Sequence, residues 1–143
     1  GGSRHRVNKR WSFCNFLEII KFLKKKQIIP VLIGGSDEKE IAKKYKSIDG
    51  INNLIGKTNF FDLVHLSSRA SLILGNDTGP MHLLVVSGSK NTKKIVLFGK
   101  ESDPNLCAPL GENITIIRKS NINNIKPKAV MSSINKNNYS KLQ

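Results

Sequence analysis

The sequence predicts a doubly wound α/β domain with a Rossmann-like, mostly parallel sheet. Short apolar runs of strand length alternate with segments of helical period along most of the chain. The apolar runs end in turn-forming Gly, Asn and Thr clusters, the chemistry that carries a strand into a helix. With 143 residues and 38% hydrophobic content, the chain has enough apolar side chains for one core and no internal repeat.

The elements follow in order. Apolar residues at Phe13, Phe16, Leu17, Ile20 and Leu23 give a helical period over 13–26. Ile28 to Ile33 is a short apolar run ending at Gly34-Gly35, which predicts a buried strand and a turn. Ser36 opens a capped helix to about Lys46, with Asp37 and Glu38 in its first turn. Ile51 to Leu54 predicts another strand. Thr58 or Asn59 then caps a helix bearing Phe61, Leu63, Val64 and Leu66. Ser71 to Leu74 is a strand and Met81 to Val86 a helix. Lys94 to Phe98 and Ile114 to Arg118 are strands, and the last helix runs from Lys126, with Pro127 near its start, to Asn135. One domain over 1–135 and a flexible tail over 136–143 are expected.

Composition narrows the function. No run reaches the roughly 18 apolar residues that a membrane-spanning helix requires. Arg4, His5, Arg6, Lys9 and Arg10 interrupt any signal-like start, so a cytoplasmic protein is expected. Cys14, among Trp11, Phe13, Phe16 and Leu17, is expected to be buried, Cys107 to be a free thiol in a loop, and no disulfide to join them. His5, His65 and His82 make no zinc pattern. The net charge of +14 raises nucleic acid or an anionic membrane as partners. The cations are scattered and not interleaved with aromatic residues, so no specific nucleic-acid partner is expected. A peripheral contact with an anionic membrane is. No Gly-x-Gly-x-x-Gly follows a strand, which disfavours a nicotinamide enzyme.

The run from Gly75 to His82, Gly-Asn-Asp-Thr-Gly-Pro-Met-His, is the most informative stretch. It joins a strand to a helix through a Thr-Gly-Pro turn. Such a turn presents backbone N–H groups and the positive end of a helix dipole, which suits a diphosphate. Thr78 adds a hydroxyl, Gly79 allows close backbone approach, and Pro80 fits a first helical turn. The plain structural reading is that Asp77 or Thr78 merely caps the helix. Every motif-bearing turn, at Gly34–Glu38, Gly56–Thr58, Asp77–His82 and after Gly99, follows a strand. In a doubly wound sheet that edge is where ligands bind.

The same string resembles the donor-site motif of glycosyltransferase family 9, the ADP-heptose:lipopolysaccharide heptosyltransferases. Four further segments match that family in order. Lys9-Arg10-Trp11-Ser12 resembles its Lys-x-Trp-Pro lead into a helix, with Ser12 in place of Pro. Val31-Leu32-Ile33-Gly34-Gly35 with Glu38 resembles its strand-Gly-Gly-x-x-Glu turn. Asn53-Leu54-Ile55-Gly56-Lys57-Thr58 matches its Asn-Leu-x-Gly-Lys-Thr element. Ile95-Val96-Leu97-Phe98-Gly99 matches its strand ending in Phe-Gly. Leu84-Val85-Val86 departs from the family's Ala-rich helix, so the helix packing there is expected to differ. Ser12 is expected to loosen the lead into the first helix.

The resemblance implies the C-terminal half of a GT-B glycosyltransferase, lacking its first strand and its N-terminal acceptor domain. It implies a heptosyltransferase-like transfer from an ADP-sugar donor in lipopolysaccharide core synthesis. That transfer would invert the anomeric centre and need no metal and no cofactor, the ADP-sugar being a substrate. The donor site it implies comprises Ser3, Lys9, Glu38, Asp77, Thr78, Gly79 and His82. Lys9 would offset charge on the leaving diphosphate, and Glu38 would accept the ribose hydroxyls. Lys57 and Thr58 would lie near the adenine. No catalytic base is implied on this chain, because the family's base lies in the first domain. The chain alone is therefore expected to be inactive. The partners implied are the donor and a lipid-linked saccharide acceptor, at the inner face of the inner membrane. The rival readings are a non-catalytic nucleotide-binding fragment of a truncated or split gene, and a basic nucleic-acid module.

Overall fold

A computed structural model describes residues 7–136. Its first long element is α1, Phe13–Lys25. The hydroxyl of Ser12 accepts from the Asn15 amide at 3.2 Å, so the residue expected to loosen this helix start instead caps it. Helices α2 (Lys39–Lys44), α3 (Phe60–Arg69), α4 (Gly79–Ser87), α5 (Pro104–Cys107) and α6 (Pro127–Asn135) follow. The strands are β1 (Val31–Leu32), β2 (Asn52–Asn53), β3 (Leu72–Asn76), β4 (Lys93–Phe98) and β5 (Ile114–Arg118).

All strand pairs are parallel. Among the described residues they form two hydrogen-bonded sheets, β1–β2 and β3–β4–β5. β4 is the central strand, and Ile95, Val96, Leu97 and Phe98 are fully buried. Its side chains alternate between two layers, as the two-residue period of a strand requires. Ile95 and Leu97 pack with Trp11, Ile19 and Leu23 of the α1 region and Val130 of α6. Val96 and Phe98 pack with Leu63 of α3 and Met81, Leu84 and Val85 of α4. Helix α1 also bridges the two sheets. Its Ile20 joins Tyr45 and Ile55, against which Leu32 of β1 packs.

Several expectations are corrected. β1 and β2 have only two residues each, and Ile29 and Val31 are exposed, so the run before Gly34 is no buried strand. Its apolar residues lie beside a short, two-stranded sheet that covers little of them. Cys14 is exposed, because the apolar period of α1 turns it away from Ile19, Ile20 and Leu23. The segment 36–46 is a 3-10 turn over Ser36–Glu38 followed by a six-residue helix. Asn59, not Thr58, caps α3: its side chain accepts from Asp62 N, and the Asp62 carboxylate accepts from Asn59 N. β3 runs two residues further than expected, taking in Gly75 and Asn76. The short helix α5, with Asp103 as its cap and Pro104 at its start, was not legible in the apolar pattern. Only residue 136 of the expected tail lies within the described residues.

Two lysines at the start of β4 serve the fold. Lys93 Nζ donates to the carbonyls of Ser133 and Ile134 at 3.0 Å and to that of Lys136, closing the C-terminal end of α6. Lys94 is 1% exposed, and its Nζ donates to Ser89 O at 2.8 Å and Glu112 O at 3.0 Å. It ties the loop after α4 to the loop before β5. Lys94→Met keeps the aliphatic stem but leaves the Glu112 carbonyl without this donor, while Ser89 O keeps the Thr92 amide at 3.0 Å, and it is expected to lower the unfolding free energy by about 1–3 kcal/mol. Urea denaturation checks this. Lys21→Met on the exposed face of α1 is expected to change it by less than about 0.5 kcal/mol.

Candidate functional site

The centre of the site is the turn between β3 and α4. Thr78, in an extended conformation, is the N-cap of α4, and its hydroxyl accepts from Met81 N at 3.4 Å. Pro80 stands in the first turn of the helix, where its missing N–H costs nothing. The Asp77 amide donates to Leu97 O at 3.1 Å, fixing the turn to the end of β4. Gly79 is exposed, and a Cβ there would meet nothing within 4 Å among the described residues. Neither packing nor a left-handed backbone requires glycine at this position. Gly75 differs, since a Cβ there would lie 3.0 Å from Met81 Sδ.

A second segment reaches the same turn from the other end of the chain. Trp11 N donates to Asn76 Oδ1 at 3.2 Å, and Trp11 Nε1 donates to Ile125 O at 2.9 Å. The indole is buried and meets Phe16 edge-on at 5.0 Å, so Trp11 is a core anchor. This anchoring brings Lys9, itself only 9% exposed, against Asp77: Nζ donates to Oδ2 at 3.0 Å. His82 Nε2 lies 3.1 Å from the other Asp77 oxygen, Oδ1. Burial pushes the Asp77 carboxyl up. Hydrogen bonds from Ser102, Lys9 and His82, together with the Lys9 charge, outweigh it and hold the carboxyl below its ordinary value.

These groups surround an open cavity of about 460 Å³ lined by Lys9, Asp77, Thr78, Gly79, His82, Glu101, Ser102, Asp103 and Cys107. The structure thus brings together five of the seven residues expected from the sequence. Glu38 does not line this cavity. It is 6% exposed, its Oε2 accepts from Gly35 N at 3.0 Å, and a Cβ on Gly34 would strike that oxygen at 2.4 Å. The turn carrying Glu38 is tied to the Lys9 segment by an ion pair between Arg10 and Asp37 at 3.5 Å. Ser3 lies outside the described residues. Lys57 and Thr58 follow β2 and do not line the cavity. Glu101, Ser102, Asp103 and Cys107 were missed as individual residues. Their signal was positional: they follow the C-terminal end of β4, at the ligand edge of the sheet. Among the described residues no group of three or more His, Cys, Asp or Glu side chains is arranged to hold a metal ion. The cavity walls combine a lysine, a histidine and a helix N-terminus with the carboxylates of Asp77, Glu101 and Asp103.

The likeness to solved structures defines the class. A structure described as E. coli ADP-heptose lps heptosyltransferase II superposes with a TM-score of 0.80 and 24% identity, over 94% of this chain and 43% of that one. A glycosyl transferase family 9 protein from Veillonella parvula gives 0.80 at 18% identity, over 93% and 42%. An E. coli heptosyltransferase solved with ADP gives 0.73 at 20% identity, over 92% and 41%. The molecule has the α/β fold, with parallel sheets, of the matched part of these structures. The profile of glycosyltransferase family 9 (heptosyltransferase) matches residues 2–138, and the chain belongs to that family. A curated relative, Lipooligosaccharide heptosyltransferase 2 of Haemophilus influenzae, is 27% identical over 116 residues, which is 77% of this chain. The chain spans about a third of that relative's length (32%).

The Asp77 network makes a pH prediction. Its folded-state carboxyl titrates below the unfolded value, so its contribution is full above the ordinary carboxylate range near pH ~4 and is lost as pH falls through the lower folded value. Asp77→Asn is expected to be less stable than the parent at neutral pH. The difference should shrink on acidification. Urea denaturation of both proteins across that range checks it, and a difference that grew in acid would contradict the assignment.

Proposed function

We propose that this chain is the donor-binding domain of a heptosyltransferase-like enzyme and holds the diphosphate of an ADP-sugar between Lys9 and the N-terminus of α4. Gly79 carries this reading. It lines the cavity at a helix N-terminus, and nothing among the described residues requires it to be glycine. A ligand's need for close backbone approach explains it. Lys9 lies beside the same turn, with two of its three ammonium donors not used by Asp77. The ribose is assigned to Glu38, on the turn that Arg10 and Asp37 tie to the Lys9 segment. Ser3 is assigned to the donor phosphates on the family resemblance alone.

The reaction follows from that placement. An acceptor hydroxyl attacks the anomeric carbon from the face opposite the diphosphate. The new C–O bond forms as the bond to the diphosphate oxygen breaks, which inverts the centre. The electron pair goes to the diphosphate, where Lys9 and the α4 dipole offset the charge without a metal. The acceptor proton passes to a base that we assign to no residue of this chain. The acceptor, a lipid-linked saccharide of lipopolysaccharide core synthesis, is assigned to a further domain. On this reading the chain by itself binds ADP and transfers no sugar.

Calorimetry with ADP tests the binding site. Gly79→Val is expected to weaken ADP binding by at least about tenfold, roughly 1.4 kcal/mol, without loss of stability, since a side chain there has open space. Thiol labelling gives an independent readout. Cys14 and Cys107 are both exposed, but only Cys107 lines the cavity. ADP is expected to slow modification of Cys107 and to leave Cys14 unchanged. Failure to bind ADP at millimolar concentration would support an inert fragment. Sugar transfer by the chain alone would overturn the assignment of the base elsewhere.

A further inference from the structure

Residues 9–11 reach two parts of the molecule at once. Lys9 Nζ donates to Asp77 and Trp11 N to Asn76 Oδ1, at and just beyond the C-terminal end of β3. Arg10, between them, pairs with the turn after β1: its Nη2 lies 3.5 Å from Asp37 Oδ2. Among the described residues no strand ladder joins the β1–β2 sheet to β3–β4–β5, so ladder hydrogen bonds do not set the spacing of these two turns. The turn after β1 is closely fitted around its acids. Glu38 Oε2 accepts from Gly35 N at 3.0 Å, and a Cβ on Gly35 would lie 2.5 Å from Asp37 Oδ1. Gly35 thus touches both carboxylates. Its amide aims Glu38, and its missing side chain leaves room for Asp37.

We propose that Arg10 and Asp37 are positioning residues that make the donor site selective for a ribose bearing its 2′ and 3′ hydroxyls. Arg10 holds Asp37 against Gly35, and the Gly35 amide holds Glu38 in the direction from which it meets the ribose. The inference rests on the assignment of the ribose to Glu38 and deepens it. Glu38 stands apart from the cavity, so one nucleotide meets both only if their spacing is kept. Lys9 and Arg10 are consecutive residues that answer to the two halves, and the ion pair turns two separate contacts into one preorganised site. Neither Arg10 nor Asp37 touches the ligand on this reading. Their side chains are 24% and 33% exposed, and an ion pair so exposed adds little to stability, so breaking it is expected to leave the fold intact.

Calorimetry with ADP and 2′,3′-dideoxy-ADP tests it. The two ligands carry the same charge, so the ratio of their affinities cancels long-range electrostatics. The parent chain is expected to prefer ADP by at least about tenfold, because a site built to bond hydroxyls rejects the analogue that lacks them. Glu38→Gln is expected to remove most of that preference. Arg10→Met and Asp37→Asn are each expected to narrow it by about threefold or more, with unchanged far-ultraviolet circular dichroism. They shift the net charge in opposite directions, so a shared loss reports positioning rather than charge. The double variant is expected to lose no more than the worse single one, since both substitutions break the same pair. Failure of the parent chain to bind ADP overturns the donor reading, and this inference with it. ADP binding without preference, or a preference that Glu38→Gln leaves intact, overturns the ribose assignment and again this inference. A preference that Glu38→Gln removes and both ion-pair variants keep, or losses that add in the double variant, overturns this inference alone.

Discussion

The Asp77 carboxylate is the interaction on which the site depends. It is buried at the end of a parallel strand, where a carboxylate without partners would be costly. Three partners compensate, and each arrives on a different segment: Lys9 from before α1, His82 from within α4, and Ser102 from after β4. The carboxylate therefore does more than fix a turn. It makes the walls of the cavity mutually dependent, because moving any one of them leaves a buried charge under-satisfied. The Asp77 amide, bonded to Leu97 O, secures the same residue to the most buried strand of the molecule.

The second requirement is that Lys9 be held where burial works against it. Trp11 does this through its packing and two hydrogen bonds. Its indole sits in the layer beneath β4 and donates to Ile125 O, and its backbone donates to Asn76 Oδ1 at the end of β3. The chain around Lys9 is thus tied to both the core and the turn between β3 and α4. Ser12 then starts α1 with a cap of its own. A serine in place of the family's proline exchanges a fixed backbone angle for a hydrogen bond, and the helix start is retained.

The division of labour within the fold follows from where the strands end. β4 is covered on both faces and none of its residues lines the cavity, whereas Glu101, Ser102 and Asp103, which follow its C-terminal end, do. The two-stranded sheet is a lesser structure, joined to the larger one through α1. It places Glu38 near the edge but not in the cavity, and the Arg10–Asp37 ion pair links the two regions. Glu38 meets the structural demand of its turn by accepting the Gly35 amide.

The sequence by itself determined the alternation of strands and helices, the bounds of β5 and the chemistry of the Asp77–His82 turn. These are legible because a short run of β-branched residues, a capped helix and a Thr-Gly-Pro turn each leave a local pattern. Asp77, Thr78 and Gly79 were legible as candidates from that turn, whereas Lys9 and His82 were named on the family resemblance. Only the tertiary structure decided that Lys9 is buried against Asp77, 68 residues away, and that Ser102, Asp103 and Cys107 share its cavity. It also decided that Glu38 stands apart from that cavity, that Cys14 faces outward, and that the apolar run before Gly34 is half uncovered. The physical reason is the range of the interactions. Caps and periodicity are set within a few residues, whereas burial and charge pairing depend on which segments the fold carries to the same place.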